Sequence, residues 1–232
     1  MSRFTDWLIS RLLPQRCAGC AEVIDYRLQW CDTCLHELPI VEPPICLYCG
    51  KSKAVCMCEK QRHAYDRCCA PFYNEGVAKR AVERYKFDGL KPISKALAPY
   101  VAVVVRREYG EEMPQLITFV PLYASDARVR DFNPGEVLAR ETAALLGIPC
   151  VPLLVKLYPT KPQKELSALH RSGNLLGAFD VQTDVDLSNK SILLIDDVLT
   201  TGATLDECAK MLKIFGAKTV FAATAVLTTV EE

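Results

Sequence analysis

The chain is expected to fold as an α/β domain whose mainly parallel sheet is flanked by helices, with a small cysteine-rich region ahead of it. Three observations point there. From about Asp66 onward, short apolar runs alternate with segments of helical period. The 232 residues suffice for one ordinary domain plus an appendage, and 50% of them are hydrophobic, so a packed core is expected. Eight of the 12 cysteines fall between Cys17 and Cys58, in a stretch with almost no periodic pattern. The expected division is therefore 1–62 for an N-terminal helix and the cysteine-rich region, and 63–232 for the α/β domain.

Each element has its own signal. Cys68–Tyr73 reads as a strand, Gly76–Phe87 as an amphipathic helix and Ile93–Tyr109 as a second helix. Leu116–Pro121 is a buried strand. The next helix, Asn133–Leu146, is fully punctuated: Asn133 at the N-cap, Pro134 at the first helical position, Glu136 for the capping box and Gly147 just past the end. Cys150–Val155 follows as a strand, then a polar loop. Strand Ile192–Ile195, helix Thr204–Phe215 closed by Gly216, and strand Thr219–Leu227 complete the pattern. In sheets of this kind, ligands bind beyond the carboxyl ends of the strands.

Charge excludes little but weakens some classes. Lys+Arg and Asp+Glu both number 28, which leaves no net electrostatic footprint for nucleic acid or an anionic membrane. At the N-terminus Phe4, Trp7, Leu8 and Leu12 share a helical face that ends at Pro14. Arg3, Asp6 and Arg11 interrupt it, and no run approaches the roughly 20 apolar residues of a membrane span or forms a signal-peptide core. A short helix packed on the rest of the chain is favoured over a membrane-surface helix, and the expected location is cytoplasmic.

In that compartment cysteines serve metals more often than disulfides. Cys17-x2-Cys20 is followed by Cys31-x2-Cys34, and Cys46-x2-Cys49 by Cys56-x-Cys58. Two such knuckles supply the four sulfurs of a closed tetrahedral zinc site. Two structural Zn2+ ions are expected, and their binding would supply much of the folding energy of so small a segment. Pro39, Pro43 and Pro44 between the groups favour two sequential ribbons, with interleaved pairing left open. An iron–sulfur cluster and redox chemistry are the weaker readings. His36 and His63 are alternative ligands, with a solvent-facing role preferred for both. Cys68, Cys69, Cys150 and Cys208 read as small buried hydrophobes.

The richest chemistry lies in Ile192–Thr204, ILLIDDVLTTGAT. A buried strand delivers Asp196 and Asp197 to the sheet's carboxyl edge, where adjacent carboxylates can accept hydrogen bonds from a vicinal diol. The turn Thr200, Thr201, Gly202, Ala203, Thr204 offers successive backbone N–H groups, three hydroxyls and a helix N-terminus behind them, an anion site suited to a phosphomonoester. Gly202 admits close approach of the phosphate. Acceptors for hydroxyls beside donors for a phosphate describe a ribose 5-phosphate. Neither GxxxxGK[ST] nor GxGxxG is present. The plain alternative, a strand end followed by helix-capping threonines, accounts poorly for paired aspartates before TTGAT.

This segment resembles the phosphoribosyl-diphosphate (PRPP) signature of the type I phosphoribosyltransferases, and the cysteine pairs joined to it resemble the ComF family, associated with DNA uptake in competent bacteria. The resemblance covers nearly the whole chain, including Lys86-Phe-Asp-Gly89, Val120-Pro-Leu122, Arg130-Asp-Phe-Asn133 and Gln163 with Leu166, Arg171, Asn174 and Ala178-Phe179. It implies a type I phosphoribosyltransferase-like fold and a pyrophosphate loop at Pro121, Leu122, Tyr123 and Ala124. It also implies a mobile loop around Tyr158–Leu169, whose Lys161 and Lys164 would meet the diphosphate's charge, and Mg2+ bound with PRPP. Asp196 and Asp197 would be the catalytic pair, holding the ribose. Two departures stand out. Asp131 replaces a glycine of the family's RGFNQ pattern, and Thr200 stands where 6-oxopurine transferases carry an aspartate, which argues against purine salvage. The function expected is transfer of phosphoribose to an unidentified acceptor. The alternative is a non-catalytic PRPP-binding module of the DNA-uptake machinery, with single-stranded DNA or the competence helicase as partner. The first sixty residues lack a dense Lys/Arg stripe, which supports a nucleic-acid role only weakly. Phe72, Tyr73, Tyr85 and Phe87 read as core or helix-face residues rather than a stacking platform.

Overall fold

A central strand, β6 (Ser191–Leu199), and its neighbour β7 (Thr219–Leu227) organise the computed structural model, which describes residues 14–58, 63–123, 131–159 and 177–229. Both strands pair in parallel over nearly their whole length, from Ser191 opposite Thr219 to Leu199 opposite Leu227. Ile192–Ile195 and Val220–Leu227 are continuously buried, as strands covered on both faces must be. Strand β3 (Leu116–Phe119) flanks β6 in parallel, and Cys150 extends the sheet by a single parallel bridge to Ile117.

The opposite edge is one strand in two pieces. β1 (Arg67–Cys69) and β2 (Phe72–Tyr73) pair with β7 in the same register, Arg67 opposite Phe221 and Phe72 opposite Val226. The single strand expected over Cys68–Tyr73 is interrupted at Pro71, which has no N–H to give the ladder. The carbonyl of Pro71 instead accepts the N–H of Val41 at 2.9 Å, and Tyr73 donates to the carbonyl of Pro39 at 2.8 Å. The cysteine-rich segment thus covers the exposed sheet edge.

Helix α1 (Asp32–His36) belongs to that segment; α2 (Gly76–Phe87), α3 (Ser94–Tyr109), α4 (Pro134–Leu146) and α5 (Ala203–Ile214) cover the sheet. Val77, Ala78, Ala81, Val82 and Tyr85 form the buried stripe of α2, at the spacing that predicted it. The capping of α4 is as expected: the Asn133 side chain accepts the N–H of Glu136, and Gly147 ends the helix in the left-handed region at φ 71°. One expectation is corrected. Cys150–Val155 is not one strand; beyond the Cys150 bridge the chain leaves the main sheet, and β4 (Leu154–Lys156) pairs antiparallel with β5 (Phe179–Val181). Three-residue strands carry too little pattern to be read from sequence. Among the described residues no helix is long and apolar enough to cross a membrane. The N-terminal helix expected from Phe4, Trp7, Leu8 and Leu12 lies outside them.

Further contacts bolt the cysteine-rich segment to the α/β body. Arg84 of α2 donates to the carbonyls of Cys17 and Ala18 at 2.8 and 2.7 Å, and the Trp30 indole points at the carbonyl of Ala96 on α3. Farther along, Cys68 of β1 donates its N–H to Leu47 and its thiol to the carbonyl of Tyr48. A methyl group added at Gly19 would lie 2.6 Å from Val77 Cγ1 and 3.1 Å from Cys34 Sγ. Gly19→Ala is therefore expected to lower stability by about 1–3 kcal/mol, read as a lower thermal midpoint of the metal-loaded protein; an unchanged midpoint would show that this contact carries no weight.

Candidate functional site

The carboxyl edge of the sheet collects the predicted residues. Asp196 and Asp197 lie near the end of β6, where Asp196 pairs with Thr224 of β7. The Val120 N–H donates to Ile195, so the chain leaves β3 into Pro121, Leu122 and Tyr123 directly beside the aspartates. The first turn of α4 closes the third side. A methyl group at Gly135 would sit 3.5 Å from Asp196 Oδ1, and Asn133 Nδ2 donates to the carbonyl of Val120 at 2.9 Å. A depression lined by Pro121, Leu122, Asp131, Phe132, Asn133 and Glu136 opens between these segments. Two of its liners are acidic. Of the remaining predicted residues, Ala124, Lys161 and Lys164 lie outside the described residues, as do Arg130, Gln163, Leu166, Arg171 and Asn174.

Beyond Asp197 the turn behaves as the sequence suggests. Leu199 ends the strand, and Thr200, Gly202, Ala203 and Thr204 with Val198, Leu199 and Leu205 line a small recess. Gly202 holds φ 78°, a left-handed conformation at the N-cap of α5, and gives the helix no side-chain cap. The Thr201 hydroxyl accepts the Ala203 N–H at 3.4 Å, a long bond. The helix terminus therefore faces the turn with its positive end.

One residue of the site was not assigned a role from sequence. Lys86, at the end of α2, places Nζ 2.7 Å from Asp197 Oδ1, and both side chains are largely enclosed. The pair is separated by more than a hundred positions, so spacing could not reveal it; a lysine ending an otherwise buried helical stripe was the available signal. A second expectation is corrected. His63 is not solvent-facing: its ring stacks on Tyr65, centroids 4.5 Å apart, and Nδ1 lies 3.8 Å from Asp206. His36 is exposed, as expected.

The cysteines form two sets of four, Cys17, Cys20, Cys31, Cys34 and Cys46, Cys49, Cys56, Cys58, with the sulfurs of each set within 4.8 Å of one another. The pairing is sequential, not interleaved. A zinc ion with sulfurs at about 2.3 Å needs tetrahedral edges of about 3.8 Å; Cys20–Cys31, Cys46–Cys58 and Cys49–Cys56 span 3.7, 3.6 and 3.5 Å. Each set fits one structural zinc ion. Burial opposes ionisation of Cys17, but the N–H groups of Cys20, Cys31 and Gly19 hold its thiol down at about 7. The Cys58 N–H does the same for Cys56. Within the same sets burial pushes Cys20, Cys34 and Cys49 up, so Cys17 and Cys56 are the thiols most easily ionised before metal binds. Cys68, Cys69 and Cys208 are buried and Cys150 half-buried.

Residues 133–230 match the phosphoribosyl transferase domain, and residues 8–72 match the double zinc ribbon domain. The chain is 30% identical over 210 residues to DNA utilization protein YhgH of Salmonella typhimurium, covering 88% of this chain and 86% of that one. Competence protein F of Haemophilus influenzae is 29% identical over 209 residues, with the same shares covered. The chain belongs to the ComF/YhgH family. Among solved structures it is similar to a purine phosphoribosyltransferase of Pyrococcus horikoshii, 18% identical with a TM-score of 0.35 over 59% of this chain and 85% of that one.

In this ComF-family protein the two aspartates are electrostatically unequal. Lys86 compensates Asp197. Burial and the neighbouring Asp197 charge push Asp196 up to about 7, against the partial relief from Lys86 and the Asp197 N–H, which donates to Asp196 Oδ1 at 2.8 Å. A carboxyl that holds its proton more tightly when folded than when unfolded costs stability as pH rises from about 4 to about 7, and the full cost persists above that. Asp196→Asn is therefore expected to melt above the parent in ligand-free protein at pH 8, by ~2–4 °C for each kcal/mol relieved, with the gap closing as pH falls toward 4. A variant melting below the parent at pH 8 would contradict this.

Proposed function

We propose that this protein binds PRPP across the carboxyl edge of its sheet and, with Mg2+, transfers the phosphoribosyl group to an acceptor. The observation that carries the reading is the run from Asp196 to Thr204: paired carboxylates at a strand end, followed within one turn by a helix N-terminus whose N-cap residue, Gly202, has no side chain. Asp196 and Asp197 accept hydrogen bonds from the ribose hydroxyls, and Thr200, Thr201, Gly202, Ala203 and Thr204 hold the 5-phosphate. Pro121–Ala124 face the diphosphate, with Lys161 and Lys164 as its cations. Mg2+ arriving with the ligand fits this donor set, since it is commonly held by one or two carboxylates plus substrate phosphates and would neutralise the diphosphate. The ribbon region, 1–62, and the α/β region, 63–232, act as one unit in the cytoplasm.

In the reaction, the bond from the anomeric carbon to the diphosphate oxygen breaks, and its electron pair leaves with pyrophosphate. The positive charge left on the ribose is stabilised by the adjacent carboxylates. Lys86 matters here: held 2.7 Å from Asp197 without ligand, it is the local cation that keeps this carboxylate compensated. The acceptor's lone pair closes on the anomeric carbon. Thr200 in place of an aspartate beside the base makes a 6-oxopurine acceptor unsuitable.

A second reading, a PRPP-binding module without turnover acting on single-stranded DNA or a helicase, is favoured by the names of the relatives, competence protein F and DNA utilization protein YhgH. Pyrophosphate release from PRPP and Mg2+ across a panel of acceptors separates the two. Release abolished by Asp196→Asn and by Asp197→Asn is the expected outcome. Tight PRPP binding with no release for any acceptor would sink the transferase, and single-stranded DNA binding that survives moderate salt would raise the second reading.

Asp131 puts a negative charge into the depression beside Pro121 and Leu122. Asp131→Gly is expected to tighten pyrophosphate binding by about five- to tenfold, as removal of one like charge worth about 1 kcal/mol predicts. Titration calorimetry at fixed Mg2+ measures it, and an unchanged affinity places Asp131 away from the diphosphate.

A further inference from the structure

His63–Tyr65, the next described residues after the second cysteine set, pack beside the phosphate turn in a way that neither site explains. Cys58 and His63 are separated by four residues in the sequence, and at His63 the chain lies against α5. The Asp206 carboxylate accepts the Ala64 N–H, stands 3.8 Å from His63 Nδ1 and takes Lys210 Nζ at 2.9 Å. Burial opposes its ionisation, but His63, the Ala64 N–H and Lys210 together hold it well below the usual carboxylate range. The segment is therefore clipped to the first turn of the helix whose N-terminus opens the phosphate turn.

Tyr65 completes the contact. A methyl group at Gly202 would come within 2.7 Å of Tyr65 Oη and 3.6 Å of His63 Cε1, so the stacked His63 and Tyr65 rings back the glycine at the centre of the turn. Tyr65 is only 4% exposed, and burial pushes its phenol far above the ordinary range, so it stays an O–H at any working pH. The other end is equally tied: Cys68, three residues on, bonds the backbone of Leu47 and Tyr48 in the Cys46–Cys49 knuckle of the second set, and Gly50 just after that knuckle packs within reach of the Cys68 sulfur.

We propose that the His63–Ala64–Tyr65 segment couples the second four-cysteine site to the phosphate turn, so that zinc held by Cys46, Cys49, Cys56 and Cys58 and phosphate held by Thr200–Thr204 each strengthen the binding of the other. His63 and Tyr65 are positioning residues: they set the backbone that receives the phosphate and do not themselves contact it. The inference rests on the phosphate turn being a ligand site. Linkage requires that the effect be reciprocal. It is also local, because the first cysteine set reaches the body through Arg84 and Trp30 and has no share in this connection.

The test uses the full chain loaded with two zinc ions, verified by elemental analysis, and ribose 5-phosphate as the probe. Zinc release to a chelator is followed with and without the probe, and pulse alkylation with mass spectrometry reads which cysteines become free. Saturating ribose 5-phosphate is expected to slow release from Cys46, Cys49, Cys56 and Cys58 by about fivefold or more, with Cys17, Cys20, Cys31 and Cys34 unchanged. Tyr65→Phe and His63→Gln, which keep the ring volume or a polar side chain, are expected to retain both zinc ions and lose the protection. If calorimetry shows ribose 5-phosphate bound while both sets release zinc at unchanged rates, or both are protected equally, the coupling is overturned. Protection undiminished in both variants overturns the assigned route. If the parent binds no ribose 5-phosphate, the phosphate site itself fails, a result the calorimetry reads separately. Should a variant misfold, the alkylation pattern of the parent alone decides.

Discussion

Two adjacent carboxylates at the enclosed end of the central strand set the terms for everything around them. Without a cation such a pair would not stay ionised. The buried positions of the main sheet are apolar except for Thr118, Thr224 and Asp197 itself, so they supply no cation. Lys86 comes from α2, and that helix must be held where its last turn meets Asp197. Three consecutive side chains do the holding: Arg84 reaches the carbonyls of Cys17 and Ala18, Tyr85 donates to the carbonyl of Pro134 at 2.7 Å, and Lys86 meets Asp197. One helical turn joins the first cysteine set, the N-terminus of α4 and the acidic pair. The ribbon region is in this sense part of the site's frame rather than an appendage.

Local patterns were legible where a residue's role is decided by its near neighbours. The apolar stripe of α2, the cap and stop of α4, the mainly apolar run of β7 and the spacing of the cysteine knuckles all depend on positions a few residues apart, and the structure has each of them. What sequence could not show depends on long-range partners. The Lys86–Asp197 contact, the in-register resumption of the edge strand after Pro71 and the burial of His63 against Tyr65 arise only once distant segments meet. The β4–β5 pair failed for a different reason, because three residues define no period. For the candidate site, the acidic pair at the strand end and the turn that opens α5 were legible as local structure, whereas the Lys86 partner of Asp197 and the burial that raises Asp196 were not.

That inequality bears on what the site is for. A carboxyl raised to about 7 beside one paired with a lysine costs stability, and its return within β6 is the Asp197 N–H that its Oδ1 accepts. The proposed ribose diol or Mg2+ would satisfy the carboxylate and recover that cost. The same reasoning separates Asp196 from Asp131. Asp131 is exposed to solvent in the open depression and carries little desolvation cost, so its charge tunes the neighbouring surface without being forced by it.

The two cysteine sets bear on this edge through different elements. The first acts through Arg84 on the helix that supplies the site's cation; the second borders β1, β2 and the end of β7, where Lys51 donates to the carbonyl of Thr229 and Ser52 to the Tyr73 hydroxyl. A parallel sheet leaves its ligand edge to loops, which are the least rigid parts of such a fold. Metal knuckles offer that edge a stiff support that neither loop could provide alone, because four sulfurs around one ion fix backbone that has no hydrophobic core of its own. The proposed ligand site at Asp196–Thr204 thus rests on segments remote in sequence, with the second cysteine set behind the phosphate turn and the first behind the helix that carries Lys86.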